Sequence, residues 1–264
     1  MGEILSKLRN VKIIFKGGVG NQLFQYAFYK FLLSIMDFKV DFNFEKLNNK
    51  SELYKKITPR SFILNEFIKN KINFYNHDSF SFKKFFIFKN EKIISFFLKK
   101  KIKLPLNHYE GYWQDIFFAK YLKKEDFKNN LFLKPAYMPK NYYIIHYRGG
   151  DFFHSKDHIV LNYEYYLGNV DKYRDLPIFA LSDDLINLRK ILSKIDLKIK
   201  PIECNYIDAF NIIYNSKGGI TSNSTFSWWP IFLSKNNNWV FPKKWLINKN
   251  IYQANLFIPG TQTG

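Results

Sequence analysis

Between Asn141 and Pro242, short apolar runs that end on glycine turns or on clusters of hydroxyls and carboxylates alternate with segments of helical period. Tyr142–Tyr147 (Y-Y-I-I-H-Y) runs into R-G-G-D, Pro177–Leu181 (P-I-F-A-L) into S-D-D, and Gly218–Ile220 (G-G-I) into T-S-N-S-T. Two more strands are expected, near Ile199–Ile202 and at Trp239–Pro242. Helices are expected at Tyr163–Asn169, Leu185–Ile195 and Tyr206–Tyr214, and over F-S-W-W-P-I-F-L. Strands separated by helices can pair in parallel, because the crossover is long enough, and parallel sheets bind ligands beyond their carboxyl ends. The amino-terminal region starts the same way, with a strand at Lys12–Lys16, the turn G-G-V-G and an apolar helix over Asn21–Met36. Asp37–Leu106 shows no clear period. His108–Asp115 (H-Y-E-G-Y-W-Q-D) reads as the opening of a helical run to Tyr121, and Pro135 and Pro139 mark a linker. The expectation is an α/β protein of two Rossmann-like lobes with parallel sheets facing a cleft, residues 1–138 and 139–264.

The chain's 264 residues, 47% of them hydrophobic, suffice for such a core. One cysteine, Cys204, excludes an internal disulfide framework, and no Cys/His cluster has the spacing of a zinc site. With 41 Lys+Arg against 22 Asp+Glu, the formal charge of +19 favours acidic partners. The basic residues are mostly lysine and carry no nucleic-acid-binding motif, so no nucleic-acid partner is expected. From Phe82 to Lys103 lysines interleave with phenylalanines, as in a segment lying on an anionic membrane surface; a genome rich in A and T would produce the same composition. Near the amino terminus, charges flank each short apolar run, so neither a secretory core nor a membrane span can be drawn there. The expected location is the cytoplasm, or the inner face of a plasma membrane. A myristoylation-like start at Met1–Ser6, a glycosylation sequon at Asn223–Thr225 and the tail P-G-T-Q-T-G receive no role.

Four polar clusters follow expected strands. In Lys16–Ala27 (K-G-G-V-G-N-Q-L-F-Q-Y-A), Gly18 and Gly20 allow close backbone approach and the helix start offers N–H groups to an anion. The alternative is a tight turn capped by Asn21; Leu23 replaces the third glycine of a dinucleotide loop, and no G-K-[ST] follows. In His146–Asp151 (H-Y-R-G-G-D), Arg148 has the fork to grip a pyrophosphate, and His146 and Asp151 suit a base contact or proton transfer. The alternative is an Arg148–Asp151 ion pair fixing the turn. Ser182, Asp183 and Asp184 fit either a guanine or ribose contact or a helix cap. Ser222–Leu233 (S-N-S-T-F-S-W-W-P-I-F-L) reads as a ligand loop in front and core behind.

Together these clusters resemble the inverting α-1,2-fucosyltransferases of glycosyltransferase family 11. The resemblance lies in G-G-x-G-N-Q-L-F-Q-Y-A (Gly17–Ala27), G-Y-x-Q (Gly111–Gln114), H-x-R-R-G-D (His146–Asp151), S-D-D (Ser182–Asp184), S-N-S-[ST]-F-S-W-W (Ser222–Trp229) and P-K-x-W (Pro242–Trp245). One position departs: Gly149 stands where the family usually has a second arginine. The resemblance implies a GT-B-like pair of lobes, with the acceptor on residues 1–138 and the GDP-sugar on 139–264. It implies metal-independent transfer of L-fucose from GDP-L-fucose to the 2-hydroxyl of a galactoside, in an oligosaccharide or lipid-linked surface glycan of O-antigen type. Arg148 would hold the β-phosphate, His146 and Asp183 or Asp184 the guanine and ribose, and Asp151 would take the hydroxyl proton, with Glu110 and His154 as alternates. Gly18, Gly20, Asn21, Gln22, Ser182, Ser222, Asn223, Ser224, Thr225 and Phe226 would complete the donor site. No metal or cofactor is implied. Gly149 keeps a transferase of another nucleotide sugar open, and the charge alone keeps a basic nucleic-acid or membrane-surface binding protein open.

Overall fold

A computed structural model describes residues 9–36, 38–44, 47, 61–72, 90–104, 106, 108–247 and 256–264. The Met1–Ser6 pattern and the Phe82–Lys89 part of the basic segment lie outside the described residues. The chain divides into two compact units: Met1–Ser51 with Pro59–Asp126 and Ala254–Leu256, and Glu52–Thr58 with Phe127–Gln253 and Phe257–Gly264.

In the first unit β1 (Arg9–Ile14) lies between β2 (Phe38–Asn43) and β3 (His108–Glu110), all parallel, with Val11 opposite Val40 and Ile13 opposite Tyr109. His108–Glu110 is therefore a strand and not the start of a helix. Pairing with β1 buries Tyr109, and the helical run shrinks to α3 (Ile116–Ala119) behind an Asp115 cap. α1 (Val19–Ile35) is buried along most of its length, since Phe24, Phe28, Phe31 and Leu32 recur at helical spacing. Phe28 stacks on Trp113 at 3.9 Å between ring centroids and meets Phe118 edge to face at 5.2 Å. α2 (Glu91–Lys99) is capped by Asn90 and buries Ile94 and Leu98. The half-buried Glu91 carboxylate accepts the amides of Tyr112 (2.9 Å) and Trp113 (2.6 Å), fixing the loop after β3. Burial raises the Glu91 pKa in spite of those two bonds.

In the second unit six parallel strands follow the order β6-β5-β4-β7-β8-β9. They are β4 (Tyr143–Tyr147), β5 (Ile178–Ser182), β6 (Ile199–Pro201), β7 (Gly219–Ile220), β8 (Trp239–Phe241) and β9 (Gln262–Thr263). Counted within the unit this is 3-2-1-4-5-6, the doubly wound Rossmann order. The tail given no role from sequence thus closes one edge of the sheet as β9.

The helices α4 (Tyr163–Val170), α5 (Leu185–Leu192), α6 (Tyr206–Asn215) and α7 (Thr225–Ser234) fill the successive crossovers. Alternation along β4 serves two cores. Tyr143, Ile145 and Tyr147 pack with Tyr166, Val170 and Leu188 of α4 and α5. On the other face the Tyr142 hydroxyl donates to the Ile212 carbonyl of α6 (2.9 Å), and the His146 ring lies 6.3 Å from Phe226 of α7. Phe132 joins this unit by donating its amide to Asn211 (2.7 Å) and packing its ring on Phe127 (5.6 Å). Glycine is required at 219, where φ is +148° and a Cβ would sit 1.8 Å from the Ile144 carbonyl oxygen of the neighbouring strand. Among the described residues no helix is long and apolar enough to cross a membrane.

Candidate functional site

In a sheet of this order the strand sequence reverses between the first and fourth strands, and the crevice beyond their carboxyl ends is the place for a ligand. Here those strands are β4 and β7, so the switch point joins two clusters 76 residues apart in sequence: His146 Nδ1 lies 2.9 Å from Ser222 Oγ. Both side chains are buried. Burial first, and the Arg148 guanidinium second, push the His146 pKa down to about 3, so the imidazole is neutral at physiological pH.

The unfolded His146 would titrate near 6.5, so stability from keeping it neutral is full above that value and is lost as pH falls toward 3. The expected contribution is a loss of about 2 kcal/mol between pH 7 and pH 5. Denaturant unfolding of the protein and of His146→Asn at both pH values checks this; an equal pH dependence in the two proteins would contradict it.

Arg148 leaves β4 with two carboxylates on its guanidinium. Nη2 meets Asp151 Oδ1 at 2.6 Å, and Nη1 meets Asp183 Oδ2 at 2.8 Å. These contacts use two of the five N–H groups a guanidinium carries. The Arg148–Asp151 pair expected as the alternative reading is therefore present, and Asp183 extends it to β5. Gly149 N–H donates to Asp183 Oδ1 (3.1 Å). Asp184 behaves as the helix cap, accepting the Asn187 amide (3.1 Å) and side chain (2.7 Å), while its own amide donates to Ser182 Oγ (2.7 Å). Burial would raise its pKa, but the bonds from Asn187 and the Gly150 amide outweigh that and hold it below the usual value. A Cβ at Gly149 would come within 2.8 Å of Asp184 Oδ2 and 2.9 Å of the Tyr147 ring, so the space a side chain would leave through is already filled.

The loop after β7 divides its tasks. Ser222 holds His146. Asn223 points its Nδ2 at the carbonyls of Ile159 (2.9 Å) and Trp245 (2.7 Å), tying two loops together. Its buried Oδ1 has no hydrogen-bond partner among the described residues. Thr221 and Ser227 share a buried hydroxyl bond of 2.7 Å, and the Ser224 carbonyl accepts Trp228 N–H (3.1 Å) to start α7. The Ser224 side chain, at the N-cap position of α7, makes no cap hydrogen bond, and the helix opens with Thr225 and Phe226.

Three residues not singled out from sequence belong to the Arg148 corner. The guanidinium carbon lies 5.2 Å from the Phe152 ring centroid, and Phe152 stacks on His158 at 4.3 Å. Ser155 Oγ accepts the amides of Asp157 (3.2 Å) and His158 (3.3 Å), so its hydrogen is directed to His158 Nδ1 at 2.7 Å. In the neutral imidazole Nε2 then carries the proton. Burial is the main cause of the lowered His158 pKa. A Ser-x-x-His turn was the only local signal for this pair. His154, an expected alternate base, is exposed at the end of the 3-10 turn Gly150–His154 that follows β4.

In the first unit the glycine loop is mainly a clamp. Gln22 is fully buried; its Nε2 donates to the carbonyls of Gly17 (3.0 Å) and Ser61 (2.9 Å), and its Oε1 accepts the amides of Ile63 (3.1 Å) and Leu64 (3.2 Å). Its amide is saturated by backbone and is not offered to a ligand. Gln25 does the same for Lys16 and Gly111. Gly18 precedes α1 and Gly20 is buried within its first turn. Asn21 Oδ1 accepts Gln114 Nε2 (2.7 Å), and Glu110, at the end of β3, lies 3.6 Å from Lys16 Nζ. Among the described residues no cluster of His, Cys, Asp and Glu is arranged to hold a metal ion.

Comparison with known proteins returns no match: no protein-family model, no curated protein and no solved structure is similar to this chain at a significant level.

Proposed function

We propose that the protein is an inverting glycosyltransferase of the GT-B kind that moves L-fucose from GDP-L-fucose to the 2-hydroxyl of a galactoside. Two things support this reading: the ordered resemblance of six motifs to the family 11 fucosyltransferases, and the position of two of those motifs. The single observation that carries it is the contact of His146, at the end of β4 and two residues before Arg148, with Ser222, in the loop between β7 and α7, across the switch point of a Rossmann-ordered sheet. A nucleoside diphosphate is the anion such a crevice fits. In the reaction the galactoside oxygen attacks the anomeric carbon, the bond from that carbon to the β-phosphate oxygen breaks, and GDP leaves with the electron pair. Arg148 and the α7 N–H groups meet the charge that develops on the phosphate.

The hydroxyl proton needs an acceptor late in the transition state, and Asp151 is the carboxylate this reading assigns. Its bond to Arg148 couples proton acceptance to phosphate contact. Incubation with GDP-fucose and, in parallel, other nucleotide sugars, with and without a galactoside, tests the donor by nucleotide release. Asp151→Asn is expected to lower turnover at least tenfold with donor affinity changed less than threefold; unchanged kinetics would remove it from the base role. Release from a different nucleotide sugar alone would favour the second reading, a transferase of another donor, which rests on the filled space beside Gly149.

A further inference from the structure

We infer that α2 and the turn after it form a docking surface for an anionic lipid bilayer. This inference stands apart from the transferase reading. The helix is fixed at both ends: Glu91 binds the Tyr112 and Trp113 amides, and Lys99 pairs with Asp115. Its inner face buries Ile94, Ser95 and Leu98. The opposite face carries Lys92, Ile93, Phe96 and Lys100, all exposed; Phe96 is 53% accessible, with Lys100 Nζ 4.4 Å from its ring centroid.

The end of the helix adds to the same patch. Lys101 is left-handed, with φ +57°; its amide bonds the Leu98 carbonyl (2.8 Å), and the Ile102 amide bonds the Phe97 carbonyl (3.1 Å). That is the Schellman pattern, in which the residue after the left-handed one is turned back against the helix. Ile102 nonetheless stays 44% exposed, with Lys101 and Lys103 exposed on either side. Three exposed apolar side chains, Ile93, Phe96 and Ile102, thus sit among four exposed lysines, and Glu91, the sole carboxylate between Asn90 and Lys103, is turned inward.

Apolar side chains ringed by lysine match the boundary between acyl chains and anionic headgroups: the rings enter and the ammonium groups remain at headgroup level. Charge decides against a second copy of the chain, because a twofold contact through this face would set lysine against lysine.

The test is co-sedimentation of the whole chain with vesicles of phosphatidylcholine alone or with about one-third phosphatidylglycerol, at about 0.1 M salt. Binding is expected to be more than tenfold stronger to the anionic vesicles. It should fall at least tenfold in Phe96→Ser/Ile102→Ser and in Lys100→Glu/Lys101→Glu, with melting temperatures unchanged. Lys194→Glu/Lys198→Glu, which makes the same charge change at exposed positions of the second unit, should stay within twofold of the parent. An equal loss in that control would overturn the inference, reducing the effect to the overall +19 charge. Equal binding to neutral vesicles, or Phe96-dependent self-association or nucleic-acid binding without vesicle binding, would overturn it as well.

Discussion

Replacing Arg148 with alanine is expected to reduce sugar transfer by more than a hundredfold and to remove most of the affinity for GDP. One charge-assisted donor aimed at developing charge in a dry site is worth about 3 kcal/mol of barrier, and Arg148 sits where β4 meets the switch point. The same change leaves Asp151 and Asp183, both partly shielded from water, without the cation that separates them. A modest loss of stability is therefore also expected, and Arg148→Lys controls for it. Lysine keeps the charge near both carboxylates but loses the planar fork, so it should melt close to the parent while transfer stays at least tenfold down. Steady-state kinetics, GDP titration calorimetry and thermal melts on both variants read these effects. Near-normal turnover in Arg148→Ala would remove the diphosphate role from this corner.

Gln22→Leu is expected to destabilise the first unit by about 4 kcal/mol or more, a large part of what holds a typical domain together. Leucine matches the buried volume but leaves the Gly17 and Ser61 carbonyls and the Ile63 and Leu64 amides without the one side chain that serves all four. Water has no access, since Gln22 is wholly buried. A drop in melting temperature of roughly 10 °C follows. Gln22→Glu refines the argument: it can still accept the two amides but cannot donate to the two carbonyls, so it should also melt well below the parent. A Gln22→Leu protein melting within 2 °C of the parent would show that the clamp is not structural. A segment that read as a ligand loop carries two glutamines because Gln22 and Gln25 hold the loops at 16–17, 61–64 and 111 around the start of α1.

How far the chain could be read alone depended on how local each interaction is. The strands of the second unit were legible because each is a buried apolar run closed by a turn, and their placement between helices made parallel pairing the available solution. β3 was misread because H-Y-E is too short to show a period, and its strand character comes from pairing with β1, almost a hundred residues earlier. β9 was missed for the same reason: only pairing with β8 makes a strand of Gln262–Thr263.

At the site, the residue types at the strand ends were visible in the sequence, and their employment was not. Asp183 and Asp184 are adjacent and chemically identical, yet one pairs with Arg148 and the other caps α5, because successive side chains leave the chain in different directions. Phe152 and His158 became part of the Arg148 corner only when the 3-10 turn after Gly149 folded them against it. The amino-acid order by itself determined the alternation of elements and the chemical character of each turn, since both follow from periodicity and backbone freedom within a few residues. Tertiary structure alone decided which turns meet, which amides are saturated by backbone and which cation has neighbours, because those outcomes depend on strand order and burial between segments tens of residues apart.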